Sequence, residues 1–241
     1  MSRQSTTLAE GGVNIQISID GPAAAGKSTL ARALAKKLGY IHIDSGAMYR
    51  ALTWLALREG VDIDNADALT ELAREADILF EPDPENADYT QRVFCRGLDI
   101  TKEIRGLDVS QNVSAISSIP GVREVLVEAQ RKMASDRDVV MEGRDIGTVV
   151  LPRADYKLFL TASVEERARR RWKERGGGDQ DQTLAEIIAE IAKRDAEDAN
   201  RANSPLRPAP DSVILDSTDL SFSEVIEEAA RLVGFNASGS E

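Results

Sequence analysis

The sequence predicts an α/β fold, a parallel β-sheet flanked by helices, from three observations. Strand-like and helix-like segments alternate along most of the chain, the pattern of a sheet whose connections are helical. The first strand-like run passes through a glycine-bearing turn into an amphipathic helix. With 241 residues, 42% of them hydrophobic, the chain can bury a substantial core, as one large domain or one core carrying small inserts.

Taken in order, residues 1–13 are polar and glycine-containing and read as a disordered leader. Asn14–Asp20 places Ile15, Ile17 and Ile19 at period two, a strand signal. The following helix carries Leu30, Leu34 and Leu38 at i, i+4 and i+8, and Gly39 stands where a left-handed C-cap glycine would end it. Tyr40–Gly46 (YIHIDSG) reads as a short strand, followed by a helix from about Ala47 to Glu59. Ile78–Ile104 breaks the rhythm with short β-like runs, prolines and an Arg-Gly turn, which predicts a small antiparallel insert. Strands resume at Asp138–Gly143, Tyr156–Ala162 and Ser212–Ser217. Between the last two, Arg169–Gln182 is arginine-dense and then glycine-rich, the composition of a mobile loop between helices. A final helix opens at Ser221, in capping-box spacing with Glu224, and the tail from Asn236 reads as disordered.

Composition excludes several classes. The formal net charge is −11, so extended nucleic-acid binding, which draws most of its affinity from basic contacts to phosphate, is not expected. A small phosphorylated ligand is still compatible with an acidic chain whose arginines converge on one pocket. Cys95 stands alone, which rules out an internal disulfide framework and fits a reducing compartment. No apolar run approaches the roughly 18–20 residues of a membrane-spanning helix. The start, MSRQSTTLAEGG, has no hydrophobic stretch of the kind a secretory signal needs. The expectation is a cytoplasmic monomer without a membrane or nucleic-acid partner.

Gly21-Pro22-Ala23-Ala24-Ala25-Gly26-Lys27-Ser28 fits the P-loop pattern G-x-x-x-x-G-K-[ST] and runs on into Thr29. The glycines permit a tight loop whose backbone N–H groups face a polyphosphate, and the helix behind presents its positive end to the same anion. Lys27 can reach the β- and γ-phosphates, and the Ser28 hydroxyl is placed to ligate Mg²⁺. Four fixed positions do occur by chance. Here the pattern follows an alternating strand and opens an amphipathic helix, the context that makes it a phosphate cradle, so a nucleoside triphosphate is expected to bind. An Asn-Lys-x-Asp motif for guanine is absent. The acceptor must be found elsewhere.

Three segments bear on it. In Asp44–Arg50 (DSGAMYR), Ser45 and Tyr49 share one helix face with Arg50 beside them; an N-capping serine, a core tyrosine and a solvated arginine explain these residues as well. Glu142–Gly147 (EGRDIG) follows an apolar strand at the carboxyl end, where parallel sheets place ligands. There Glu142 could act on the Mg²⁺ hydration shell and Arg144 could hold a phosphate, or Arg144 and Asp145 could form a plain loop ion pair. On the helix ending in KRDAEDANR, Arg194, Asp198 and Arg201 form one stripe that continues the apolar face of Ile187 and Ile191. An inward stripe of charge needs partners, for which phosphate is suited; an outward one would be ordinary surface pairing.

GPAAAGKS, DSGAMYR, EGRDIGTVV, KRDAEDANR-x-x-SPL and ILDST, in this order, resemble the bacterial cytidylate kinase family from about Asn14 to Phe235. The Asp-Gly-Phe-Pro-Arg signature of adenylate kinases is absent. The resemblance implies an ATP- and Mg²⁺-dependent kinase of CMP or dCMP. Its fold would be a P-loop kinase core with a small antiparallel, NMP-binding insert and a mobile lid. The single domain would span 14–235, with the core at about 14–60 and 110–235, the insert at about 61–109 and the lid at about 167–182. Ser45, Tyr49 and Arg50 would line the monophosphate site. Ser114, Arg123 and Asp145 would read the cytosine ring. Arg144 and Arg201 would join Arg50 around the acceptor phosphate, while Arg194 and Asp198 contact the sugar. The lid arginines would be Arg170 and Arg171; a solvated basic helix with a floppy loop is the plainer account of that segment. The family commonly has Asp where this chain has Glu142, which keeps the charge and adds a methylene.

Two rivals follow from the same residues, a P-loop kinase of a non-nucleotide metabolite and a nucleotide-binding regulatory module without turnover. The insert and the two-part arginine set argue against the first, and the intact Lys27-Ser28 against the second. His42, with no second His or Cys nearby, is not expected to bind metal.

Overall fold

The computed structural model describes residues 14–83, 91–174 and 182–235. The expected disordered ends, 1–13 and 236–241, lie outside the described residues, as does 175–181 of the expected lid.

Five strands form a fully parallel sheet: β1 (Gln16–Asp20), β2 (Ile41–Asp44), β6 (Val139–Gly143), β7 (Tyr156–Thr161) and β8 (Val213–Asp216), in the order β2-β6-β1-β7-β8. The period-two isoleucines mark β1 correctly, yet residues on both its faces are buried, because β1 is central and helices cover the sheet. Register puts Ile19 opposite Glu142 and Asp20 opposite Gly143, so the carboxyl ends of β1 and β6 emerge side by side.

Helix α1 (Lys27–Leu38) buries Leu30 and Leu34 completely and ends at Gly39, whose φ of 74° is the left-handed cap. Helix α2 (Ser45–Glu59) begins two residues earlier than expected, because the Asp44 carboxylate accepts the Ala47 N–H and caps it. Helix α3 (Ala66–Glu75) leads into the insert, where β3 (Ile78–Pro82), β4 (Gln91–Cys95) and β5 (Leu98–Asp99) pair antiparallel. A 3₁₀ turn and the helices α4 (Leu107–Ser118) and α5 (Pro120–Met133) return the chain to β6. After β7, α6 (Val164–Glu174) and α7 (Leu184–Ala199) pack as a hairpin through Ala168, Ile187 and Ile191. The chain closes with α8 (Phe222–Leu232), opened by the Ser221–Glu224 capping box.

Two large apolar clusters carry the fold. One joins α1 and α8 to β1, β7 and β8; the other joins α2, α4 and α5 to α3 and the small sheet, so the insert shares its core with the helices around it. Cys95 lies in that second cluster, fully buried with its thiol donating to the Ala76 carbonyl, and burial pushes the thiol up to about 11. Among the described residues no helix is long and apolar enough to cross a membrane.

Candidate active site

The P-loop turns at the carboxyl end of β1. A Cβ on Gly21 would stand 2.0 Å from the Leu160 carbonyl oxygen of β7, so only glycine lets the loop pass there. Ala24 (φ 57°) and Gly26 (φ 90°) take left-handed conformations, and α1 starts at Lys27. Ser28 and Thr29 are exposed on its first turn, while Pro22, Ala23 and Ala25 are buried and Ala24 and Gly26 half-buried. Lys27 is buried with its Nζ donating to the Pro22 carbonyl at 2.7 Å. Burial, and then the charge of Arg144, push its ammonium down to about 7. A polyanion in the loop would favour the charged form.

Glu142, at the end of β6, accepts the Ser28 hydroxyl at 2.8 Å through one oxygen, and His42 Nε2 lies 3.1 Å from the other. A hydroxyl and a carboxylate side by side at the mouth of a P-loop are the oxygen donors Mg²⁺ takes, so these residues fit that ion. His42 is thus a buried neighbour of Glu142.

Asp20 accepts the backbone N–H groups of Ile146 and Gly147, each at 2.7 Å, and ties the root of the P-loop to the segment bearing Arg144 and Asp145. That segment continues as a turn of π-helix, Ile146–Val150. Burial outweighs these two hydrogen bonds and raises the Asp20 carboxyl to about 6. Between the unfolded value of 3.8 and about 6 the folded chain therefore binds the extra proton, and this contribution to stability is lost as pH rises through about 6. Relative to Asp20→Asn, the wild type is expected to lose on the order of 3 kcal/mol of stability between pH 4 and 7. Urea unfolding of both chains across that range checks it; a constant difference would contradict the account.

Opposite the P-loop, one pocket is lined by Ser45, Tyr49, Arg50, Arg123, Arg144, Asp145, Arg194, Asp198 and Arg201, together with Val113 and Ser117. Nine of the ten residues expected around the acceptor are here. Ser114 is not among the lining residues: Val113 and Ser117, four apart on α4, turn one face to the pocket and Ser114 lies about 100° away. Carboxylates hold the arginines. Arg50 bonds Asp44 at 2.6 Å, Arg144 bonds Asp198 at 2.8 Å, Arg201 also pairs with Asp198, and Arg123 pairs with Asp145. Arg144 and Asp145, adjacent in sequence, thus bond different partners. Burial raises the Asp198 carboxyl, but Arg144 and Arg201 outweigh it and the net shift is downward. Burial, and then Arg144, lower Arg194 to about 10, and its buried Nε has no hydrogen-bond partner among the described residues. The Tyr49 hydroxyl is likewise buried, and burial pushes it up to about 12. Orphaned donors of this kind suit a phosphate or a sugar hydroxyl.

Of the expected lid arginines, Arg170 reaches the nucleotide loop. It donates to the Ser217 carbonyl at 2.6 Å and the Ser217 hydroxyl at 3.0 Å, and lies 4.0 Å from where a Gly26 Cβ would stand. Arg171 pairs with Glu190 of α7 at 3.2 Å. Sequence reasoning missed Asp20, Ser117 and Asp195, and named Arg167 only as the start of the lid. Asp20 offered a signal, since it directly precedes the first P-loop glycine; the others depend on contacts between distant segments.

A P-loop at the head of a parallel sheet, facing an arginine-lined pocket across the ends of β1 and β6, defines a P-loop phosphotransferase. The family model for cytidylate kinase matches residues 17–234, and the chain belongs to that family. It is 53% identical over 87% of its length to a cytidylate kinase of Desulforamulus reducens, covering 92% of that protein. It is 47% identical over 94% of its length to one from Caldanaerobacter subterraneus, covering 98%. A third, from Geobacillus kaustophilus, is 50% identical over 91% of this chain and 96% of its own.

Proposed function

We propose that this chain transfers the γ-phosphoryl group of ATP to CMP or dCMP, giving CDP or dCDP and ADP. The observation that carries the reading is the convergence of Arg50, Arg123, Arg144, Arg194 and Arg201 on one pocket of an acidic chain, facing the P-loop. In this reading residues 61–109 form the acceptor-binding insert and 167–182 the lid, and the protein works as a cytoplasmic monomer.

The acceptor phosphate, with a second pKa of about 6, is already largely a dianion at neutral pH, so no strong general base is required. Catalysis is then positioning and charge neutralisation. The loop from Gly21 to Thr29 cradles the donor phosphates and Lys27 carries positive charge to the migrating group. Arg50, Arg144 and Arg201 hold the acceptor phosphate, and Arg194 and Asp198 hold the sugar. Mg²⁺, when bound, neutralises phosphate charge; Ser28 would ligate it and Glu142 would hold one of its waters. Asp145, Arg123 and Ser114 of α4 face the base, with Ser117 on the same helix beside them. Cytosine offers an N4 amino donor that Asp145 accepts, whereas uracil offers a carbonyl there, so CMP is favoured over UMP by about one to two decades.

An ADP-release assay with ATP, Mg²⁺ and CMP, dCMP, UMP, AMP, GMP or shikimate tests this. Turnover led by CMP and dCMP supports the reading, and turnover led by another acceptor overturns it. Replacing Arg170 and Arg171 together by alanine is expected to lower kcat by about 10²-fold with little change in melting temperature, since both sit at half-buried positions of α6. Unchanged turnover in that variant removes the lid role.

A further inference from the structure

Two charged residues of the α6–α7 hairpin do no work in the mechanism above, yet they grip the P-loop. Arg167 of α6 is 4% exposed. Its guanidinium donates to the Ala23 carbonyl at 2.9 Å and to the Ala162 carbonyl at 2.9 Å. The same guanidinium pairs with Asp195 of α7 at 2.6 Å, and the second Asp195 oxygen accepts the Ala23 N–H at 3.3 Å. Both backbone groups of Ala23 are therefore held by one ion pair drawn from two helices, its arginine buried and its aspartate half-buried.

The next residue gives this grip a purpose. Ala24 has φ 57°, the left-handed region that side chains other than glycine seldom adopt, and such a conformation persists only where its surroundings fix it. The turn at Ala24 sets the direction of the N–H groups that follow it toward α1. Holding the peptide groups of Ala23 just before the turn is the direct way to keep it.

We infer that Arg167 and Asp195 are positioning residues that hold the P-loop in its phosphate-binding shape by clamping Ala23 against the left-handed turn at Ala24. The inference rests on the proposed use of the loop for ATP. It extends to the lid, because the clamp belongs to the hairpin that bears Arg170 and Arg171. It also places the donor loop on α7, the helix that bears Arg194 and Asp198 on the acceptor side.

The test is calorimetric titration of Asp195→Asn with MgATP and, separately, with CMP, alongside its melting temperature. Asn keeps the shape and one acceptor but removes the charge that holds Arg167. MgATP is expected to weaken about tenfold, and CMP by less than about twofold. Adding Ala24→Gly, which makes the left-handed turn easy, is expected to recover most of that loss. A purely structural role would weaken both nucleotides together, and the added glycine would recover nothing; either result overturns the inference. If Asp195→Asn is unfolded at the assay temperature, Arg167→Lys carries the same test, since lysine keeps the positive charge but loses the planar fork that reaches Ala23 and Ala162 from two different nitrogens. Wild-type titrations keep the two readings apart: binding of MgATP without CMP overturns the acceptor assignment and leaves the clamp test intact.

Discussion

Lys27→Met is expected to lower kcat for phosphoryl transfer to CMP by on the order of 10²–10³-fold, the loss seen when one preorganised charge or donor aimed at the transition state is removed. Lys27 opens α1 behind the Gly21–Gly26 loop and is 7% exposed, so water screens its ammonium little, and in the proposed reaction it carries positive charge to the migrating phosphoryl group. The effect should fall on kcat more than on binding, because the loop amides and the helix end remain to hold the donor. Methionine matches the length of the aliphatic stem, and the position already disfavours charge through burial and Arg144. The melting temperature should therefore not fall. Steady-state ADP release and a thermal melt check both halves. Turnover within tenfold of wild type would detach the P-loop from the chemistry.

The second large effect is expected at Asp145→Asn, in stability and specificity together. Asp145 is 5% exposed and pairs with Arg123, itself 5% exposed and further held by the Ser117 carbonyl at 3.1 Å. Removing one charge from a buried pair leaves the other uncompensated, which costs about 3–5 kcal/mol. The amide also presents a donor where cytosine N4 needs an acceptor, so the ratio of kcat/KM for CMP over UMP should drop by about one to two decades. Urea unfolding measures the first effect and paired kinetics with the two substrates the second. An equal loss on CMP and UMP would make Asp145 a structural partner of Arg123 and remove it from base reading.

The difference between these two residues tracks how each could be known in advance. Lys27 is defined by a contiguous motif between a strand and a helix, so its identity is legible locally even though Glu142 and Arg144 bear on its charge from a distant segment. The partner of Asp145 lies 22 residues back on helix α5. The stripe of Arg194 and Asp198 was legible because a helix converts spacing into direction, but its inward orientation came from the structure, which buries Asp198 along with Ile187 and Ile191. Ser114 shows where the same logic stops. It is named by its motif, whereas the serine of α4 that lines the pocket is Ser117, three residues further on and about 60° around the helix.

The sequence by itself determined the alternation of strands and helices, the P-loop, the Gly39 and Ser221 caps, the antiparallel insert and the stripe of charge along α7. All of these are local, written in periodicity, capping chemistry or short spacing. Only the tertiary structure decided which carboxylate holds which arginine. It brought Asp20 to the amides of Ile146 and Gly147, 126 and 127 residues away, and seated Asp195 and Arg167 on Ala23. The physical reason is that charged side chains pair by distance and burial. Sheet order and helix docking set both, and they join segments whose separation in sequence carries no trace of their contact.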